Sequence, residues 1–221
     1  TQKNSPAQIF SYGIKEKSDF RASAIKLKAN EVKFKVNRKF DFVLSTPGGY
    51  NIYNALAAIA VGRIFGLDYR KIASRLAGFK FPKGRLNLVE FRGVSFIDDT
   101  HNSNPLSLSC ALKVLSAMKC KGRKILIMGD MLELGSQKES LHRQIAGSIT
   151  NTCDLLVTAG SLAKLTAKAA CAGGLKSKNI FCCASALEAR AILFKKIIPG
   201  ADDVILVKGS RSLKMEEVFK G

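Results

Sequence analysis

The stretch KILIMGDMLELG (residues 124–135) places an unbroken apolar run directly before a polar loop that begins with Gly129 and Asp130. A short apolar run bounded by glycine is typical of a strand that is buried on both faces. The same arrangement recurs in VSFIDDTHNSNP (residues 94–105) and in VILVKGSR (residues 204–211). Amphipathic segments fill the intervals, so the sequence predicts an α/β fold with a parallel sheet covered by helices on both faces.

This doubly wound, Rossmann-like region begins near residue 83 and continues to the end of the sequence. Strands are predicted at residues 86–91, 94–98, 124–128, 155–159, 180–183 and 204–208. Helices are predicted at residues 104–118, 138–150, 161–172, 184–197 and 212–220. In such sheets ligands bind beyond the carboxyl ends of the strands, where the polar clusters of this sequence also lie.

Residues 8–45 show a different pattern, in which apolar and polar residues alternate in steps of two. This alternation predicts a small run of β-hairpins, with a turn at Asn30. Two helices are predicted to follow, one over residues 51–65 and one that is capped by Asp68 and reaches about Gly78.

The segment FPKG (residues 81–84) marks the change from one pattern to the other. Proline and glycine in this arrangement indicate a boundary between two structural regions. We therefore predict a first domain over residues 1–82 and a second over residues 83–221.

The charge is strongly positive, because 36 lysines and arginines face 17 acidic residues and give a formal net charge of +19. Such a charge attracts nucleotides, nucleic acid or an anionic membrane. The lysines are scattered rather than interleaved with aromatic residues, which favours a lysine-rich surface over nucleic-acid binding. The apolar runs are also shorter than the roughly 20 residues that a membrane span requires.

The cysteines and histidines indicate neither disulfides nor a metal. Six cysteines are present without a C-x-x-C pair, and they are expected to be reduced thiols of a cytoplasmic protein. Only two histidines accompany them, so we expect no structural metal. His142 lies in a predicted helix and is interpreted as a structural histidine.

The loop DDTHNSNP (residues 98–105) contains more polar groups than a helix start requires. Asn104 can cap the following helix, and Pro105 suits its first position. Capping does not explain Asp98, Asp99 or the His-Asn pair after Thr100. Together these groups can accept hydrogen bonds from ribose hydroxyls and bind a substrate.

Three further candidates have two readings each. Asn51 and Asn54 lie three residues apart at a helix start, where they can cap the helix or read a purine edge. Arg85 can clamp a phosphate or pair with a surface carboxylate. Lys208 and Arg211 precede a predicted helix N-terminus, which suits a carboxylate or a phosphate.

These segments together resemble the Mur ligases, and within that family the members that add D-Ala-D-Ala. IDDTHNSNP (residues 97–105) is similar to the family's D-D-S-Y-N-A-N-P, and MGDMLELG (residues 128–135) to G-D-M-x-E-L-G. VKGSR (residues 207–211) matches V-K-G-S-R, and YNIYNALAA (residues 50–58) is similar to the H-N-x-x-N-A-x-A-A stretch that closes the central ATPase domain. Tyr50 and the histidine after Thr100 depart from the pattern.

The resemblance implies two sets of site residues. For ATP it implies Asn51, Asn54, Arg85, Asp98 and Asp99. For the other substrates it implies His101, Asn102, Asn104, Asp130, Glu133, Lys208, Ser210 and Arg211. With Lys208 on the dipeptide and Asp99 on the nucleotide, alanine substitutions there are expected to give separate kinetic defects.

The resemblance also implies an activity, the ATP-dependent addition of D-Ala-D-Ala to UDP-N-acetylmuramoyl-tripeptide through an acyl phosphate with Mg²⁺. The family's triphosphate loop, G-x-x-G-K-[ST], does not occur in these 221 residues. We therefore expect the chain to be the rear half of a longer enzyme, to need its N-terminal half as a partner, and to be inactive alone. The catalytic residues are accordingly left unassigned.

Two alternatives stay open at this point. One is another ligase of the same superfamily, either the diaminopimelate-adding Mur ligase or a folylpolyglutamate-type ligase. The other is a non-catalytic nucleotide- or nucleic-acid-binding module, which only the net positive charge supports.

Overall fold

The computed structural model describes residues 7–28 and 30–220 of the chain. Contacts between residues divide the chain into two compact units, Thr1–Lys80 and Phe81–Gly221.

The first unit contains a four-stranded sheet followed by two helices. Its elements are β1 (Tyr12–Gly13), β2 (Phe20–Lys28), β3 (Glu31–Val36), β4 (Phe40–Leu44), α1 (Asn51–Ile64) and α2 (Tyr69–Ala77). The strands are ordered β1-β2-β3-β4, and β2, β3 and β4 form the predicted antiparallel hairpins. The short β1 was not predicted, and it pairs parallel to β2.

The alternation in the first unit has the predicted physical basis. Val32, Phe34 and Val36 are buried on one face of β3, where they pack in a cluster with the apolar side of α1. The side chain of Asp68 accepts a hydrogen bond from the Lys71 N–H at 2.8 Å, which confirms the predicted cap of α2.

The second unit is the predicted doubly wound α/β domain. Its strands are β5 (Asn87–Phe91), β6 (Val94–Asp99), β7 (Lys124–Gly129), β8 (Leu155–Ala159), β9 (Ile180–Cys183) and β10 (Val204–Lys208). The sheet order is β5-β6-β10-β7-β8-β9, in which β5 is antiparallel and the other neighbours are parallel.

Helices cover both faces of this sheet. They are α3 (Pro105–Ala117), α4 (Lys138–Gln144), α5 (Ala146–Thr150), α6 (Ala163–Ala172) and α7 (Ala186–Ile192), and α7 continues into a π-helical turn, Leu193–Ile197. Successive side chains of a strand point to opposite faces, so Ile127 and Val207 pack with α7 while Leu126 and Leu206 lie on the other side. Among the described residues, no helix has both the length and the apolarity needed to cross a bilayer.

Two predicted helices differ in the structure. The helix predicted over residues 138–150 is divided into α4 and α5 at Ile145. The helix predicted over residues 212–220 is wrong, because two 3-10 turns, Arg211–Leu213 and Met215–Val218, occupy this segment. Lys214 joins them in a left-handed conformation with φ 47°, which brings Met215 beneath the ends of β7 and β10.

Candidate functional site

The carboxyl ends of three neighbouring strands bring the predicted polar loops to one edge of the sheet. Lys208 at the end of β10 lies in register with Asp99 of β6 on one side and with Met128 of β7 on the other. The loops that follow these strands therefore begin side by side, as the strand-end rule predicts. Gly129 is likewise in register with Ala159, so the end of β8 lies on the same edge.

Lys208 and Asp99 form a buried ion pair at this edge. The Lys208 Nζ lies 2.5 Å from Asp99 Oδ2 and donates to the carbonyl of Asn102 at 2.8 Å. Only 2% of the Lys208 side chain is exposed. Asp99 Oδ1 accepts from the Leu86 N–H at 3.2 Å. Burial raises the pKa of Asp99 above its usual value, and the nearby Lys208 ammonium opposes that shift.

This ion pair bears on one sequence-based expectation. The sequence analysis places Lys208 and Asp99 on different substrates and predicts separate defects on substitution. Because each is the other's partner, a change at either disturbs both, and separate defects are no longer expected.

Asp98 is occupied within its own loop. Its carboxylate accepts from the N–H of Gly84 at 3.1 Å, from the N–H of Thr100 at 3.2 Å and from the Thr100 hydroxyl at 2.7 Å. Gly84 has φ +78°, and a Cβ there would lie 3.0 Å from the backbone nitrogen of His101. These contacts fasten the start of the domain to the end of β6.

The end of the same loop starts α3. Asn104 accepts from the Ser107 N–H at 2.8 Å, and the Ser107 hydroxyl accepts from the Asn104 N–H at 3.0 Å. This reciprocal pair is a capping box and confirms the capping interpretation of Asn104. Asn102 Oδ1 accepts from the Ser103 N–H at 2.8 Å. His101 is exposed to solvent, so its imidazole is accessible to a ligand.

The loop over residues 129–135 is fixed by its neighbours on the edge. Ser210 Oγ accepts from the Leu132 N–H at 2.8 Å, and the Ser210 N–H donates to the Asp130 carbonyl at 3.2 Å. Asp130 Oδ1 accepts from the N–H of Ala163, the first residue of α6, at 2.6 Å. Asp130 and Ser210 therefore hold this loop in place, which sequence reasoning did not anticipate.

His142 adds a further contact to the 129–135 loop. It is fully buried, and its Nε2 accepts from the Met131 N–H at 3.0 Å. Its Nδ1 lies 2.6 Å from the Lys138 carbonyl, which can only accept. The ring is therefore the neutral tautomer with its proton on Nδ1. The predicted structural role is confirmed, but the sequence held no signal for its partner.

Two glycines allow the loops after β7 and β10 to approach each other. A Cβ on Gly209 would lie 2.5 Å from Met215 Cγ and 3.3 Å from the Gly129 Cα. A Cβ on Gly129 would lie 2.7 Å from Leu213 Cδ1. Real Cβ atoms do not come within 3.0 Å of other atoms, so a side chain at Gly209 requires Met215 to move, whereas one at Gly129 requires a shift of the end of the Leu213 side chain.

Arg211 and Arg85 are the exposed cations among the predicted site residues of this unit. The Arg211 Nη1 donates to Glu216 Oε1 at 2.8 Å, and 62% of the Arg211 side chain is exposed. Burial of Glu216 opposes its ionisation, but its own N–H, Lys220 and Arg211 together lower its pKa. Glu216 thus holds Arg211 in place. The sequence analysis did not predict a role for Glu216.

The two asparagines of the first unit differ in exposure. Asn51 is buried, and its Nδ2 donates to Thr46 Oγ1 at 3.1 Å and to the Pro47 carbonyl at 3.3 Å. Asn54 is exposed and donates to Asn51 Oδ1 at 3.1 Å. Asn51 therefore fixes the turn before α1, and a purine-binding role for either residue stays a prediction.

The described residues, 7–28 and 30–220, were compared for possible metal ligands and for the state of the cysteines. No group of three or more His, Cys, Asp or Glu side chains in these ranges is placed to hold a metal ion. The six cysteines are free thiols.

Comparison with known families defines the class of protein. The family model "Mur ligase, glutamate ligase domain" matches residues 84–211, and the "Mur ligase middle domain" model matches residues 1–62. The first match covers more than half of the chain and all the strand-end loops described above. The chain belongs to the Mur ligase family.

Individual relatives narrow this class. The UDP-N-acetylmuramoyl-tripeptide–D-alanyl-D-alanine ligase of Bacillus subtilis (strain 168) is 30% identical over 218 residues, 96% of this chain and 47% of that protein. The crystal structure II of MurF from Acinetobacter baumannii has a TM-score of 0.83 at 30% identity, covering 96% of this chain and 46% of that chain. A 2,6-diaminopimelate ligase of Caldanaerobacter subterraneus is 34% identical over 69% of this chain. The chain spans about half the length of the relatives that match most of it.

Proposed function

We propose that the chain is the acceptor-side portion of an ATP-dependent ligase that joins D-Ala-D-Ala to UDP-N-acetylmuramoyl-tripeptide. The observation that carries this proposal is the similarity to the Bacillus subtilis ligase of that name over 96% of the chain. The diaminopimelate ligase matches 69% of the chain, so the alternative acceptor receives less support.

The chemistry requires two charged ends of the dipeptide to be held. ATP, when bound, supplies the phosphoryl group that activates the carboxylate of the tripeptide. The amine of the dipeptide must lose a proton and attack the acyl carbon, and phosphate then leaves. A site for this acceptor therefore needs a group for an ammonium and a group for a carboxylate.

We assign Arg211 to the carboxylate of the dipeptide. The Lys208 ammonium is buried and already bound to Asp99, so an incoming anion would have to displace that carboxylate. Arg211 follows in the same loop, is largely exposed and offers a planar fork that suits a carboxylate. We assign Glu133 to the ammonium, because it is the exposed carboxylate of the 129–135 loop, whereas Asp130 is buried and accepts from the Ala163 N–H.

The nucleotide assignments are revised in the same way. The exposed guanidinium of Arg85 suits a phosphate, and the exposed Asn54 and His101 have accessible polar groups. Asp98, Asp99 and Asn51 already bind neighbouring groups, which argues for supporting roles. The described part of the chain contains no cluster of three or more possible metal ligands, so we assign no Mg²⁺ ligand to it.

A titration of the 221-residue chain tests this proposal. We expect D-Ala-D-Ala to shift the amide resonances of residues 129–135 and 208–211, and we expect Arg211→Ala to weaken binding about tenfold or more. L-Ala-L-Ala and meso-diaminopimelate serve as matched ligands. Preferential binding of diaminopimelate would overturn the proposed acceptor in favour of the alternative.

An enzymatic assay extends the test. The chain alone, with ATP and both substrates, is expected to release no phosphate, because its sequence contains no G-x-x-G-K-[ST] loop. Fusion to the amino-terminal half of the Bacillus subtilis relative is expected to give the ligated product by mass spectrometry. Steady phosphate release by the chain alone would contradict the proposal.

A further inference from the structure

The 129–135 loop obtains its shape from side chains outside it. It leaves β7 at Gly129, and side chains rather than backbone carbonyl groups bind the N–H groups of Met131 and Leu132. His142 of α4 accepts from the first at 3.0 Å, and Ser210 after β10 accepts from the second at 2.8 Å. Two consecutive backbone donors are thus bound by side chains from two separate segments.

The next residue shows the consequence of these two anchors. Glu133 has φ +62°, a left-handed conformation that residues with a side chain rarely adopt. Such a conformation persists only where the surroundings determine it, and it is frequent at ligand sites. Glu133 is exposed, so its conformation cannot be explained by burial of its own side chain.

His142 is well suited to serve as a fixed anchor. Its ring is fully buried, and its Nδ1 is held by the Lys138 carbonyl at 2.6 Å. The hydroxyl of Thr166 in α6 donates to the His142 carbonyl at 2.8 Å, which ties α4 to α6. The Nε2 lone pair therefore has a defined direction, toward Met131.

We propose that His142 is a positioning residue that acts through Met131. By fixing the 129–135 loop it sets the left-handed conformation of Glu133 and presents that carboxylate to the ammonium group of the incoming amine. This inference rests on the proposed function and extends it, because it gives His142, a buried residue outside segments 129–135 and 208–211, a part in recognition of the acceptor.

The first experiment measures the anchor itself in the 221-residue chain. We expect His142→Leu to accelerate amide hydrogen exchange at Met131 and Leu132 by about tenfold or more, with little change at Met128 in β7. His142→Gln places an amide oxygen close to the position of Nε2 and should restore most of the protection. Arg143→Ala, at the exposed neighbouring position, is the control.

A general structural role predicts a different result. If His142→Leu accelerated exchange equally throughout the strands, or left Met131 unchanged, the positioning role would be overturned. The nitrogen NMR resonances of the His142 ring give an independent check. A proton on Nε2 would contradict the proposed hydrogen bond from the Met131 N–H to this atom.

The second experiment measures acceptor binding. We expect His142→Leu and Glu133→Gln each to weaken D-Ala-D-Ala binding about tenfold, and the double variant to bind as weakly as Glu133→Gln alone. Non-additivity is the signature of a residue that acts through another. Fully additive losses, or normal binding by His142→Leu, would overturn the inference while the proposed function stands. A parent chain that binds no D-Ala-D-Ala would overturn both.

Discussion

The two ends of strand β10 each have an ion pair, and the two pairs differ in exposure and partners. At the carboxyl end, Lys208 and Asp99 are 2% and 13% exposed. At the amino end, Arg123 is 41% exposed while its partner Asp203 is 5% exposed. One pair is buried on both sides, and the other joins a buried carboxylate to a cation that stays in water.

The pKa values of the two carboxyl groups are shifted in opposite directions. Burial of Asp203 opposes ionisation, but hydrogen bonds to its carboxylate lower the pKa overall. The donors are two nitrogens of the Arg123 side chain, the Arg123 backbone N–H at 2.6 Å and the Gly200 backbone N–H at 3.0 Å. Asp99 has fewer donors, and burial raises its pKa. Burial favours the neutral carboxyl group and each hydrogen bond to the carboxylate favours the charged form, so the balance of the two sets the direction of the pKa shift.

The largest expected effect follows from Lys208→Ala. It leaves the Asp99 carboxylate buried without its cation, and breaking such a pair costs about 3–5 kcal/mol of unfolding free energy. Urea unfolding of the chain measures the loss. The double variant Lys208→Met with Asp99→Asn removes both charges and should recover much of it. A double variant less stable than Lys208→Ala would contradict this account.

A smaller effect is expected from Asp203→Asn. The substitution keeps the shape but removes the charge that receives the Arg123 fork, so we expect a loss of about 1.5–3 kcal/mol in the same unfolding assay. Glu139→Gln is the matched control, because its pair with Arg143 is exposed on α4 and should contribute under about 0.5 kcal/mol. Equal losses for both variants would refute the role of burial.

The smallest effect is a difference in pH dependence. Because the folded pKa of Asp203 is lowered, its stabilisation is present above the unfolded pKa of about 3.9 and is lost as pH falls through the folded value. The raised pKa of Asp99 has the opposite effect. Its contribution to the free energy of unfolding is fully present below about pH 3.9 and is lost as pH rises through the folded pKa. Unfolding midpoints between pH 3 and 7 should therefore show the advantage of the parent over Asp203→Asn shrinking in acid. The advantage of the parent over Asp99→Asn should instead grow in acid. Parallel pH curves for the two variants would contradict the opposite pKa shifts of Asp203 and Asp99.

The strands of the second unit could be predicted closely from the sequence. The strand predictions for residues 155–159, 180–183 and 204–208 have the observed bounds, because each segment is a short, mainly apolar run. The same rule failed after Arg211. Met215, Val218 and Phe219 have helical spacing, but the packing of Met215 against Gly129 and Gly209 imposes two 3-10 turns instead.

The candidate site was predictable in location but not in its pairings. That polar loops meet at the strand ends follows from the order of elements alone. Lys208 and Asp99 lie 109 residues apart, and only the sheet order places β10 beside β6. Likewise, no local pattern shows that His142 accepts from Met131, because the loop and α4 meet only in the folded domain.

The close approach of Gly129 and Gly209 has a consequence for mutational scanning. We expect saturation mutagenesis to find few side chains tolerated at Gly209, a profile usually taken to mark residues that contact substrate. Here the intolerance would have a steric origin, since a methyl group at Gly209 already collides with Met215. A smaller residue at position 215 should therefore restore the stability of a Gly209→Ala variant. A second-site change of this kind does not rescue a lost ligand contact. Such suppressor pairs would separate the packing of this edge from its chemistry.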